Sequence, residues 1–485
     1  METAAAPTTA PHVLVVPFPA QGHTLPLLDF AGLLATRGLR LTVVTSPANL
    51  PLLSPLLAAH PGAVRPLTLP FPSNSSIPPG LESTRGCPPE YFPVFIHALT
   101  ALRDPVRAWA RSRPSSDDDP IVAVVADFFC GWAQPLAREL GAVGLVFSPS
   151  GVLGAAVPHS LFRRLVRRPA SAAEGGDKES FVVTFPAIPG EPAYQWREVS
   201  MVYRWYAEGR EEDEQVRELV RQNFLWNLHD SWGFVFNSFK ALEGRYLEQP
   251  LEDLGFRRAW AVGPVAPDAD AAGARGGEAA VAAASLGAWL DPFPEGSVVY
   301  VSFGSQAVLT PAVAAALAEA LERSAVPFVW VVSAGSSGVV PETFEARAAE
   351  AGRGMVVRGW APQLATLRHP AVGWFMTHCG WNSVLEAAAA GVPMLAWPMT
   401  ADQFVNARLL VDEARVAVPA CAGGFGVAPD PGELATVLAD AVGEKGRDVR
   451  ARAKELAAEA ARAVKPGGSS YADLDGLVQE IRNVH

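Results

Sequence analysis

Short, near-continuous apolar runs recur along this chain, each followed by a turn and then by a stretch with helical spacing. Residues 12–18 (HVLVVPF) form the first run, and such unbroken apolarity predicts a strand buried on both faces. Pro19-Ala20-Gln21-Gly22 reads as a turn. Over residues 23–37, Leu25, Leu28, Leu33 and Leu34 recur at roughly helical spacing, and Gly38 follows as a suitable stop. Residues 41–45 predict a second strand. Strand, helix, strand is the unit of a parallel sheet. The same alternation predicts strands at 121–126, 143–147 and 234–237, with helices at 132–140 and 238–247. Residues 66–90, rich in Pro, Ser and Gly, read as a long loop, and residues 168–182 as a surface insertion.

The alternation stops at residues 263–284 (GPVAPDADAAGARGGEAAVAAA), which read as a linker. Beyond it, strands are predicted at 298–303, 328–332 and 355–358, and helices at 311–323, 433–442, 449–464 and 469–482. Two doubly wound α/β domains are therefore expected, with a ligand in the cleft between the carboxyl ends of their strands. The length of 485 residues agrees with two domains of about 200 residues each.

Composition narrows the function. A net charge of −11 without a basic stripe argues against a nucleic-acid partner. Cys87, Cys130, Cys379 and Cys421 have no zinc or disulfide spacing and read as free thiols. The N-terminus has no basic region, and Pro17 and Pro19 break its apolar run, which argues against a secretory signal and for the cytoplasm. The uncharged stretches 141–162 and 298–318 are interrupted by Pro, Gly and Ser, so no integral membrane segment is expected. Asp117-Asp118-Asp119 reads as a solvated run in a polar loop rather than a metal site.

One stretch carries the chemistry. Residues 373–377 are apolar, His378-Cys379-Gly380-Trp381-Asn382 is a turn, and 383–390 predicts a helix stopped by Gly391. Ser383 and Glu386 fit a capping box. A helix N-terminus after a glycine turn is a site for phosphate, and His378 and Asn382 flank it. In the first half, His23 follows the first strand, where a neutral imidazole could act as a general base; the alternative is a histidine that bonds locally at a helix start. Asp127 ends another strand and could orient that imidazole, or cap the next helix.

The 44 residues from Trp360 to Gln403 resemble, without a gap, the signature box of the plant family-1 UDP-sugar glycosyltransferases. GHTLPLLDFA around His23 and VADFF around Asp127 resemble that family's histidine-base and aspartate-partner segments. The resemblance implies a GT-B fold: an acceptor-binding domain over residues 1–262, the linker 263–284, a donor-binding domain over 285–465, and a terminal helix over 466–485 that packs back on the first domain. It implies that Trp360 stacks on uracil, with Ala361 and Gln363 at the base edge, although core packing, the more common fate of a Trp, would also account for Trp360. His378, Asn382, Ser383 and Ser305 are implied to reach the phosphates, Glu386 the ribose, and Asp402 and Gln403 the sugar, with Trp381 nearby. A capping box would account for Glu386 and a polar loop for Asp402 and Gln403 without any ligand.

What the resemblance implies for function is inverting transfer of a sugar from a UDP-sugar to a hydroxyl of a small phenolic, flavonoid-like acceptor, giving a β-O-glycoside. His23 is the base, Asp127 its partner, and neither metal nor cofactor takes part. Gln403 at the end of the box implies UDP-glucose, with UDP-rhamnose, UDP-xylose and UDP-galactose as alternatives. The segment Phe147-Ser148-Pro149-Ser150-Gly151 departs from the Thr-containing family pattern, so a contact from it would need Ser148 or Ser150. A monomer is expected. A non-catalytic nucleotide-sugar-binding protein would have lost His23 or Asp127, and a dinucleotide oxidoreductase would need GxGxxG after the first strand, where the chain has Pro19-Ala20-Gln21-Gly22-His23.

Overall fold

The computed structural model describes residues 10–87, 90–113, 119–168, 178–209, 213–248, 254–265, 280–333 and 338–484. Its first sheet contains β1 (His12–Val16), β2 (Arg40–Thr45), β3 (Val64–Thr68), β4 (Ile121–Asp127) and β5 (Val143–Ser148). A small antiparallel hairpin, β6 (Val182–Thr184) with β7 (Ala193–Gln195), stands apart. Strands β8 (Gly233–Phe236) and β9 (Ala259–Ala261) complete the first sheet, in the order β3-β2-β1-β4-β5-β8-β9 with every pair parallel. The second sheet holds β10 (Val298–Ser302), β11 (Phe328–Val332), β12 (Gly354–Arg358), β13 (Val372–Thr377), β14 (Met394–Ala396) and β15 (Ala417–Pro419). Its order is β12-β11-β10-β13-β14-β15, again all parallel.

Strand order reverses between β1 and β4 in one sheet and between β10 and β13 in the other. Loops leave in opposite directions at such a reversal and open a crevice at the carboxyl ends. Val16 pairs with Ala126, and Ser302 with Thr377. The residues that follow, His23 and Asp127 in one domain and Gly304 and His378 in the other, are thereby brought to two facing crevices.

The helices cover both faces of each sheet, and their apolar sides form the cores. Leu27, Phe30 and Leu34 of the helix Gln21–Thr36 share a buried cluster with Leu474, Leu477, Val478 and Ile481 of the last helix, Ser469–Arg482. That helix therefore lies on the first sheet. Asp473 accepts the Ala261 N–H at 3.0 Å, and Asp475 pairs with Arg37 at 2.7 Å. A second buried cluster runs from one domain into the other and includes Leu153, Trp381 and Val384.

Several expectations need correction. The helix after His378 spans Trp381–Ala390 and is capped by Gly380 in an extended conformation, with no side-chain cap bond. The Ser383–Glu386 capping box does not form, because Ser383 already lies inside the first turn. Asp127 ends a strand and caps no helix. Residues 66–68 belong to the edge strand β3, whose exposure and Pro66 hid its period. Asp119 is not solvated: it pairs with Arg40 at 2.6 Å, Arg65 and His12 at 3.1 Å, and also with Arg113. Of the linker, 266–279 lie outside the described residues, as do 169–177 of the surface insertion and Asp117 and Asp118. No helix among the described residues is long and apolar enough to cross a membrane.

Candidate active site

A cleft of about 720 Å³ lies between the two crevices. On its first wall, His23 Nδ1 is 3.0 Å from Asp127 Oδ2, across 104 residues of sequence. Asp127 is fully buried, whereas 17% of the His23 side chain is exposed and lines the cleft. The other carboxylate oxygen accepts the Phe129 N–H at 2.9 Å, so the carboxylate cannot rotate away without losing that bond. A carboxylate at Nδ1 favours the tautomer with its proton there, which leaves the Nε2 lone pair free to accept one. The imidazole is nearly parallel to Phe128 and Phe129, at 11° and 17°, with centroids 5.5 and 5.0 Å away.

The second wall is the N-terminus of the helix Trp381–Ala390. Its first backbone N–H groups have no intrahelical partners, and the helix dipole adds partial positive charge. His378 sits beside it, and burial pulls its imidazole down to about 4, so it is neutral near pH 7. Gly304 and Gly380 hold it closely. A Cβ at either position would come within 2.8 or 2.4 Å of His378 Nε2, so neither tolerates a side chain without moving the ring.

Gln363 Nε2 donates to Glu386 Oε2 at 2.7 Å and to Ser383 Oγ at 3.1 Å, which makes one polar cluster of three residues on the floor of the cleft. Trp360 is half-buried, and Ala361 is buried beside it. Trp360, Ala361 and the exposed Ser305 all line the cleft. Gln403 Oε1 accepts the Met399 and Thr400 N–H groups, both at 3.0 Å. Its amide nitrogen is then the group left for a ligand.

Three of the expected donor-side residues also tie the domains together. Ser150 Oγ donates to Asp402 Oδ2 at 2.6 Å, Asn382 Nδ2 to Gly22 O at 2.9 Å, and Trp381 Nε1 to Asn237 O at 2.6 Å. Trp381 is 4% exposed and serves as an interdomain wall. Of the two serines in the 147–151 segment, Ser148 is fully buried and donates to Ser150 O at 2.9 Å, so only Ser150 faces the cleft.

Comparison with known proteins gives the family. Residues 256–420 match the family described as UDP-glucoronosyl and UDP-glucosyl transferase, and residues 11–144 match the glycosyltransferase N-terminal domain. The chain is 46% identical to a flavonol 3-O-glucosyltransferase of Arabidopsis thaliana, over 98% of this chain and 96% of that protein. The chain belongs to the plant family-1 UDP-glycosyltransferases. A flavonol 7-O-rhamnosyltransferase of Arabidopsis thaliana is 36% identical over 98% of both chains. The crystal structure of Arabidopsis thaliana UGT89C1 complexed with UDP-L-rhamnose superposes with a TM-score of 0.76 at 35% identity, covering 97% of this chain and 99% of that one. The GT-B fold follows from that likeness and from the two facing parallel sheets.

The acceptor side of this UDP-glycosyltransferase is apolar. Phe92, Phe128, Phe129, Met201, Val202 and Phe224 line it. Four of them stand on three helices that hydrophobic spacing did not single out: Tyr91–Leu99, Met201–Glu208 and Glu214–His229. Behind them His159 is fully buried among aromatic rings, with Nδ1 2.7 Å from Ala155 O. Burial pulls its imidazole down to about 4. A histidine whose folded pKa lies below its unfolded value of 6.5 stabilises nothing extra above that value and costs stability as pH falls from there toward the folded value. The glycosyltransferase is expected to lose up to about 3 kcal/mol through His159 alone between pH 6.5 and pH 4. Thermal melts across that window check this, and His159→Gln should flatten the slope.

Glu243 was not foreseen. Its buried carboxylate accepts the Val152 and Leu153 N–H groups, both at 2.9 Å, and the Ser238 hydroxyl at 2.5 Å. It thus caps the helix Val152–Arg164 from about ninety residues away. A Cβ on Gly151 would meet that carboxylate at 2.5 Å and Trp381 at 2.7 Å, so Gly151 permits a three-way contact beside Ser150. No short motif announces such a cap; an acidic residue inside a predicted helix was the sole trace.

Proposed function

We propose that this UDP-glycosyltransferase transfers glucose from UDP-glucose to a phenolic hydroxyl of a small flavonoid-like acceptor. His23 Nε2 takes the proton of the acceptor hydroxyl. The freed oxygen pair forms a bond to the anomeric carbon as the bond from that carbon to the diphosphate oxygen breaks on the opposite face. UDP leaves with the bonding pair, and the product is the β-O-glycoside. Asp127 fixes the tautomer and balances the imidazolium that forms.

The observation that carries this reading is the His23–Asp127 pair on one wall of a cleft whose other wall is a helix N-terminus without a side-chain cap. Trp360, Ala361 and Gln363 are assigned to uracil, Glu386 to ribose, and Ser305, His378, Asn382 and Ser383 to the phosphates. Asp402 and Gln403 are assigned to sugar hydroxyls. The helix dipole and neutral donors stabilise the leaving diphosphate, with no metal taking part. The enzyme is proposed to act as a monomer in the cytoplasm.

A second donor, UDP-rhamnose, is favoured by the relative named as a flavonol 7-O-rhamnosyltransferase and by the related structure holding UDP-L-rhamnose. The more similar flavonol 3-O-glucosyltransferase and Gln403 favour glucose. Assays of four UDP-sugars (glucose, rhamnose, xylose, galactose) against flavonols and hydroxybenzoates, with and without EDTA, decide between them. UDP-glucose is expected to give the highest kcat/KM, unchanged by EDTA. The reading is lost if no UDP-sugar supports transfer or if the glucoside formed is α.

A further inference from the structure

The charge balance of the cleft leaves a role open. Its lining includes two carboxylates, Glu386 and Asp402, and a single lysine or arginine among the described residues, Arg85. His378 adds no charge near neutral pH. A nucleotide sugar brings a diphosphate into this space, and its negative charge grows as the bond to the sugar breaks. Backbone N–H groups and a helix dipole supply only partial charges against it.

Arg85 is placed for this task by its neighbours. Thr84 is fully buried, and its N–H donates to Pro19 O at 2.9 Å, in the turn that leads to His23. Its hydroxyl accepts from Gln306 Nε2 at 3.3 Å. Gln306 directly follows Ser305 in the loop after β10, the loop whose Gly304 packs on His378. One short segment of the N-terminal domain therefore bridges the base side and the phosphate side. Arg85 extends from it, exposed, and no carboxylate among the described residues pairs with it. The aromatic acceptor wall is anchored elsewhere, on helices 91–99, 201–208 and 214–229 and on Phe128 and Phe129 after β4.

We propose that Arg85 binds the diphosphate of the nucleotide sugar, reaching from the N-terminal domain, and neutralises the charge that develops on departing UDP. This rests on the reading of the site as one for UDP-sugar transfer. A guanidinium suits the role because its planar fork matches phosphate oxygens in pairs, and it holds its charge at any working pH. Supplying the cation from the opposite domain links full charge compensation to the closed cleft.

The test compares wild type, Arg85→Ala and Arg85→Lys in the full chain. UDP binding is measured by calorimetry, uridine by competitive inhibition, and transfer from UDP-glucose to a neutral flavonol and to 4-hydroxybenzoate. Arg85→Ala should weaken UDP about tenfold and lower kcat at least as much, with both acceptors and with uridine inhibition unchanged. Arg85→Lys should fall between. The proposal is overturned if UDP affinity and kcat stay within about twofold of wild type, or if UDP and uridine weaken alike. It is also overturned if only the KM for 4-hydroxybenzoate changes, since the anion bound would then be the acceptor's carboxylate. If the wild type binds UDP yet transfers no sugar, the transfer reading fails, and the calorimetry alone still judges the Arg85 contact.

Discussion

Replacing His23 by alanine is expected to lower kcat/KM for transfer to a phenolic acceptor by about 10³-fold, within the range general bases contribute. UDP affinity should stay within about twofold, because His23 stands on the wall opposite the donor residues. Asp127→Asn should be nearly as damaging. The Phe129 N–H already donates to one oxygen at this position, so an asparagine must keep its carbonyl there and turn its NH₂ toward His23. That NH₂ can donate only to an unprotonated Nδ1, which moves the imidazole proton to Nε2 and removes the base. A loss of about 10²-fold or more is expected, with the fold intact. Steady-state kinetics beside UDP calorimetry separate these effects. Full transfer rate in His23→Ala would remove the assigned base.

Glu243→Ala should produce a large loss of stability. It strips three donors of their acceptor inside the protein: the Val152 and Leu153 N–H groups and the Ser238 hydroxyl. Each buried unsatisfied donor costs about 1–3 kcal/mol, so a total of about 3 kcal/mol or more is expected, tempered by any water that enters. Burial pushes the Glu243 carboxyl upward, whereas its hydrogen bonds hold it down, so the bonds are what justify a carboxylate there. The effect should reach function. The capped helix begins at Val152, next to Gly151 and to Ser150, which bonds Asp402 across the cleft. A rise in KM for the UDP-sugar that exceeds the rise for the acceptor is expected alongside a lower melting temperature. Unchanged melting and unchanged KM would show that the contact does little.

The parallel α/β class and the positions of most buried strands were legible because strands covered on both faces read as unbroken apolar runs. Phe328–Val332 and the last helix, Ser469–Arg482, fall at their predicted bounds. What escaped had a local reason. Strand β3 is mostly exposed and carries Pro66, β14 and β15 are three residues long, and the acceptor helices Met201–Glu208 and Glu214–His229 mix aromatic with charged residues and show no clean stripe. The capping box was plausible from Ser383 and Glu386, yet the helix starts two residues earlier, at Trp381. Gly380 takes the cap position with no side chain to offer. Glu386 is thereby released to the Gln363 cluster, which removes the local explanation that competed with a ligand role.

By itself, the sequence determined the class of fold, the family and the candidates His23, Asp127 and the polar residues of the 360–403 box, because those follow from local periodicity and from contiguous motifs. Only the tertiary structure decided which of them meet. His23 and Asp127 are 104 residues apart, and adjacency of β1 and β4 is what closes them to 3.0 Å. Asp402 meets Ser150 across 252 residues, and Trp381 meets Asn237 across 144. Glu243 caps a helix that no local rule links to it. Contacts of this range depend on strand order and on how the two domains face each other, and neither is encoded in any short window of sequence.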